Sequence, residues 1–168
     1  MNRRNRFSRI PLAVLVAFLV AQAPLTAQAV PDPNSEARHS RIVGLWDVEV
    51  TITNCANGAP LFSFPAMHKF ELGGTGQVVP ATNPAALSAH LLAWNYVGDD
   101  QYQTVMKMYR FDATGNYVGW TEVTSEAAID PETGYYEGAG IAEFFNLAGV
   151  VVATSCPVFE GTRRSSEF

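Results

Sequence analysis

The sequence predicts an all-β fold: an eight-stranded antiparallel up-and-down barrel, closed on itself. Three observations predict it. Glycine and turn residues recur roughly every 10 to 15 positions, with β-branched and aromatic residues between them. No segment after residue 40 carries the period of an amphipathic helix of useful length. Two residue pairs drawn from the predicted first and last strands, Trp46 with Arg163 and Cys55 with Cys156, fit a single antiparallel register.

Each strand is bounded by a turn signal. The first is predicted over 41–54, before Asn57-Gly58, and the second over 61–72, before Gly73-Gly74. A short third strand over 76–80 leads into a loop that contains Pro84. The fourth is predicted over 89–97, turning at Gly98-Asp99-Asp100, and the fifth over 101–111. Asp112-Ala113-Thr114-Gly115-Asn116 is a strong hairpin signal. The sixth strand, 117–128, ends before Asp130-Pro131-Glu132-Thr133-Gly134; the seventh is predicted over 135–145. Asn146-Leu147-Ala148-Gly149 then leads into the eighth, over 150–163. Turns this short imply a meander in which each strand pairs with the next. Closing eight such strands into a barrel removes the exposed edges.

The 168 residues suffice for one domain. With 48% hydrophobic and 16% charged residues, the chain is too apolar to be intrinsically disordered. Residues 1–29 read as a cleaved secretory signal peptide: Arg3, Arg4, Arg6 and Arg9, then an apolar run from Ile10 to Ala21, then Ala27-Gln28-Ala29. That run is shorter than the roughly 20 residues a membrane-spanning helix needs. Residues 30–40 read as a flexible lead-in, 41–164 as the single barrel domain and 165–168 as a tail. Removing 29 residues from 168 leaves 139. It takes four of the eleven basic residues and none of the sixteen acids, so the net charge falls from −5 to −9. That acidity argues against nucleic acid as a partner. The mature protein is expected to have no membrane span and to be periplasmic or extracellular.

Partners across an antiparallel ladder have residue numbers with a nearly constant total. Cys55 and Cys156 total 211, and Trp46 and Arg163 total 209. Pairing the first strand with the last therefore brings both pairs together. Neighbouring strands lie about 5 Å apart, inside the roughly 7 Å limit for disulfide Cα atoms. Export supplies the oxidising compartment, so a Cys55–Cys156 disulfide is predicted.

Gly44-Leu45-Trp46 resembles the G-x-W motif of the lipocalins and the wider calycin barrels. In those proteins the tryptophan closes the barrel floor beneath an arginine from the last strand. The resemblance gives that role to Trp46 and to Arg163 in Gly161-Thr162-Arg163. No T-D-Y motif lies between the sixth and seventh strands, and no long helix follows the eighth, so the resemblance extends to a lipocalin-like barrel rather than a lipocalin proper. Asn54-Cys55, Gly73-Gly74, Phe111-Asp112-Ala113-Thr114-Gly115 and the terminal Gly-Thr-Arg also resemble small exported bacterial proteins. Allene oxide cyclase and dirigent-type proteins are a further architecture that the chain resembles.

Side chains alternate across a strand. Trp46, Val48, Val50 and Ile52 are thus expected inside, with Cys55 outside. Phe62, Phe64, Ala66, His68, Phe70 and Leu72 share one face, and so do His90, Leu92, Trp94 and Tyr96. The fifth strand is ambiguous: Val105, Lys107, Tyr109 and Phe111 oppose Tyr102, Met106, Met108 and Arg110, with a cation on each face. The plain reading of His68 and His90 is satisfied core histidines, that of the aromatics is wall and core, and that of Glu143 is a solvated acid. Gly119, Gly138 and Gly140 make room for a ligand or permit sharp coiling.

The favoured expectation is a secreted carrier for a small apolar molecule, contacted by Phe64, His68, Phe70, Trp94, Tyr96 and Tyr109. A cyclase or isomerase on the allene oxide cyclase or dirigent pattern is the alternative, with His68, Lys107 and Tyr109 as acid/base and orienting groups. A filled barrel serving in the cell envelope is the third. No metal-ligand spacing, nucleophile elbow, P-loop or dinucleotide fingerprint occurs, so neither a cofactor nor a metal is expected.

Overall fold

A computed structural model describes residues 39–165. The predicted signal peptide, nearly all of the lead-in and most of the tail lie outside the described residues. Eight strands run β1 Gly44–Thr53, β2 Pro60–Glu71, β3 Thr75–Pro80, β4 His90–Gly98, β5 Gln101–Phe111, β6 Tyr117–Ile129, β7 Tyr136–Phe145 and β8 Val151–Arg163. Each pairs antiparallel with the next, and β8 returns to β1, closing the barrel in up-and-down order.

The hairpins turn where a side-chain oxygen can satisfy the freed backbone. Asn54, Asp112, Asp130 and Asn146 each accept a backbone N–H from two residues downstream. This is the Asx turn, which short polar side chains form readily. Asp112 is the most heavily engaged, taking the Thr114 hydroxyl as well as the backbone N–H groups of Thr114 and Asn116. Those bonds, the Thr114 hydroxyl foremost, hold its carboxyl down at about 2.

β1 begins at Gly44 rather than at residue 41, because Ser40–Ile42 winds into a short 3-10 helix. Ile42 is fully buried beneath the barrel, and its carbonyl accepts the Trp46 indole N–H at 2.8 Å. Arg41 forms an ion pair with Asp100 in the β4–β5 turn, which ties the helix across this end.

The β1–β8 ladder sets Trp46 opposite Arg163 and Thr53 opposite Cys156. Cys55 lies two residues beyond Thr53, and the Cys55–Cys156 disulfide bridges Cα atoms 5.2 Å apart. The guanidinium of Arg163 sits 4.5 Å above the Trp46 ring and donates to the carbonyls of Arg41 and Val43. Gly44 accommodates this arrangement: its φ is +139°, and a Cβ there would collide with the Arg163 guanidinium.

The two ends of the barrel differ. At the Trp46 end, Ile42, Trp46, Phe70, Tyr102, Ile129 and Tyr136 are the largest fully buried side chains. Trp94 packs among them and donates its indole N–H to the carbonyls of Glu71 and Thr75. The opposite end carries the disulfide, the β3–β4 connection and the exposed side chains of Leu61 and Phe62.

Candidate functional site

Above the aromatic floor the interior is hollow. A cavity of about 400 Å3 runs from His68, Phe70, Tyr136 and Phe159 up to Leu61, Phe62, Thr82 and Leu87. Val50, Phe64, Met106, Met108, Val123 and Phe144 supply most of the wall, so its surface is overwhelmingly apolar. The interior is therefore not filled by side chains. Several inward positions on β6, β7 and β8 carry small side chains: Ser125 low on β6, and Ala142 and Ser155 higher on β7 and β8. The missing volume is the cavity.

Besides the single hydroxyls of Thr82, Thr121 and Ser155, three polar features line it. The first is a pair of imidazoles. Val78 on β3 pairs with both His68 on β2 and His90 on β4, so the histidines flank it in one transverse row. They are 6% and 5% exposed. His68 Nδ1 lies 3.2 Å from the Tyr136 hydroxyl. Nδ1 is the one hydrogen-bond partner of the buried Tyr136 hydroxyl, so we assign the neutral phenol as donor and Nδ1 as acceptor, the arrangement that leaves the O–H satisfied. The proton of His68 is then on Nε2, which has no hydrogen-bond partner; nor has either ring nitrogen of His90. Burial lowers both histidines to about 4, with the neighbouring His90 charge a smaller cause at His68. At neutral pH both rings are uncharged. Among the described residues no carboxylate lines the cavity to reverse this.

The second feature is Thr104 with Ser125, whose hydroxyls bond each other at 2.6 Å across β5 and β6. The third is Arg110, near the upper end. Its Nη2 donates to the Phe145 carbonyl at 2.9 Å and its guanidinium lies 5.3 Å from the Phe144 ring, while buried Nε has no partner. Groups of three or more His, Cys, Asp or Glu able to hold a metal ion are absent among the described residues.

The predicted site residues separate by position. Phe64, His68 and Phe70 line the cavity. Trp94 and Tyr96 have the expected parity but lie too low; they pack in the floor, where His39 sits 5.0 Å from the Trp94 ring and Tyr96 meets Tyr102. Tyr109 is a correction: it is 49% exposed on the outer wall. Lys107 is outside as well, paired with Glu122 and lying over the Trp120 ring. The cross-strand match of Lys107 with Glu122 decides the ambiguous fifth strand. Met106, Met108 and Arg110 face inward instead, so His68, Lys107 and Tyr109 do not converge. Leu72, beyond the end of β2 and 73% exposed, also leaves the inner face. Gly138 makes room for the Phe159 ring rather than a ligand, since a Cβ would stand 2.4 Å from that ring.

Sequence reasoning missed Tyr136, Met106, Met108, Thr104, Ser125 and Arg110. The alternation in the fifth strand groups Met106, Met108 and Arg110, but only the Lys107–Glu122 pairing tells which group faces in. A shallower groove of about 720 Å3 on the outer wall is lined by Glu49, Glu126, Glu137 and Glu160, all open to solvent.

This fold and cavity define a closed eight-stranded antiparallel β-barrel with a hollow, apolar interior. Comparison with protein-family models, curated proteins and solved structures gives no match.

Proposed function

We propose that the protein is a lipocalin-like carrier that holds one small, mainly hydrocarbon molecule inside the barrel. The cavity carries this reading. Its size falls within the roughly 300–1,000 Å3 of small-molecule sites, and an eight-stranded barrel has room for one small ligand. The floor closed by Trp46 and Arg163 makes it a one-ended cup, open towards exposed Leu61 and Phe62. The Cys55–Cys156 disulfide supports work in an oxidising compartment, periplasmic or extracellular. Among the described residues no helix is long and apolar enough to cross a membrane.

Titration with the fluorescent apolar dye Nile red, followed by native mass spectrometry of protein purified without denaturation, tests the proposal. Saturable binding of one dye per chain, lost when Ala142→Phe fills the cavity, is the expected result. Absence of saturable binding to folded, disulfide-bonded protein overturns it.

A further inference from the structure

The floor of the cavity is not chemically neutral. Three imidazole nitrogens, His68 Nε2 and both of His90, are buried without a partner near the base of a mainly apolar space, and the other unpartnered nitrogen, Arg110 Nε, lies near its upper end. A buried polar group left unsatisfied costs folding free energy, so native proteins give such groups partners. Here they sit in walls that face an opening large enough for a guest. The Thr104–Ser125 hydroxyls in the same wall bond each other. Three of the four buried side-chain nitrogens or oxygens without a partner among the described residues thus belong to these two histidines.

The polarity of that capacity is defined at His68. The Tyr136 phenol occupies Nδ1, which leaves Nε2–H as a donor. His68 is clamped in that pose by the rings of Phe70, Tyr136 and Phe159, with centroids 6.3, 5.8 and 5.6 Å away. A fixed donor at the base of an apolar cup selects an acceptor. An alkane or a bare aromatic hydrocarbon cannot supply one.

We propose that the molecule bound in the cavity carries a carbonyl or hydroxyl oxygen on its hydrocarbon frame, that this oxygen accepts the His68 Nε2–H bond at the cavity floor, and that His90 provides a second polar contact. The inference rests on the carrier reading and adds the class and orientation of the ligand. The oxygenated end enters first, and the hydrocarbon body fills the space between Phe64, Met106, Met108 and Val123.

A matched pair of probes tests it. Naphthalene and acetylnaphthalene share a ring system, and only the second has an acceptor. After correction for their water–octanol partition, acetylnaphthalene is expected to bind about tenfold more tightly, the size of one net hydrogen bond. His68→Phe removes that preference while naphthalene still binds. His68→Gln, which keeps an N–H donor, restores part of it. Histidine nitrogen NMR of the unaltered protein gives a readout that needs no variant: the His68 Nε2 resonance moves with acetylnaphthalene and not with naphthalene. If both probes bind in the ratio of their partition and the resonance stays still, water satisfies His68 and the inference is overturned, while the carrier reading stands. If neither probe binds folded protein, the carrier reading falls and takes the inference with it.

Discussion

At the closed end of the barrel the inward positions carry Trp46, Phe70, Tyr102, Ile129 and Tyr136, all fully buried. At the open end, inward positions on the same strands carry Val50, Phe64, Met108, Val123 and Ala142 around a space of about 400 Å3. Strand number and hydrogen bonding are common to both ends. The difference lies in side-chain volume: the cup exists because its floor is aromatic and part of its upper wall is small. The polar groups divide likewise. Arg163 under the floor is bonded to carbonyls and stacked on Trp46, whereas His68, His90 and Arg110 around the cavity keep unpartnered nitrogens.

The disulfide staples the open end, and breaking it is expected to have the largest effect. Closing a loop of sequence separation 101 stabilises by about 4–5 kcal/mol in the chain-entropy description. Cys55→Ser with Cys156→Ser should lower the urea midpoint accordingly. Amide exchange should rise at Thr51 and Val158 more than at Trp46. Equal acceleration at both ends would erase the distinction. Next is the floor itself: Trp46→Ala should cost about 3–5 kcal/mol in denaturant unfolding, because a fully packed site cannot collapse onto the void.

Acid should act through the cavity. His68 meets Tyr136 from β7 and the His90 charge from β4, and Arg110 shares the same space. With folded values near 4 against an unfolded 6.5, the unfolded chain binds more protons between those pH values. The stability that the two neutral histidines contribute is therefore fully present above pH 6.5 and is lost as pH drops towards 4. Thermal melts across this window should show it, and His68→Phe should flatten the slope. An unchanged slope would mean that His68 is already protonated or already solvated.

The smallest effect sharpens the comparison most. Ala127→Leu in the packed floor should cost about 1–3 kcal/mol, whereas Ala142→Leu in the hollow wall should cost less than about 1.5 kcal/mol. Melting midpoints of the two variants decide between them. Equal penalties would mean that the upper half is as tightly packed as the lower.

Much of the architecture was legible from spacing. Three turns declared themselves through Asp112, Asp130 and Asn146, whose short side chains bond their own backbone, while the first was signalled by Asn57-Gly58 and only the structure gives the Asx role to Asn54. Trp46 and Arg163 gave the β1–β8 register, and the disulfide followed from it. The site was less legible. Parity placed Trp94 and Tyr96 on the inner face correctly but carries no information about height along the barrel axis. Tyr109 was misplaced because the fifth strand offers a cation on either face, and local alternation cannot choose between them.

The amino-acid sequence by itself determined the all-β class, the strand order and the pairing of first strand with last, because turn chemistry and period-two alternation act over a few residues. Only the tertiary structure decided which face of β5 is inside, which aromatics form floor rather than wall, and that a cavity remains with unpartnered histidines at its base. Those outcomes depend on strand tilt and on the summed volume of side chains brought together from eight strands, and no single segment contains that total.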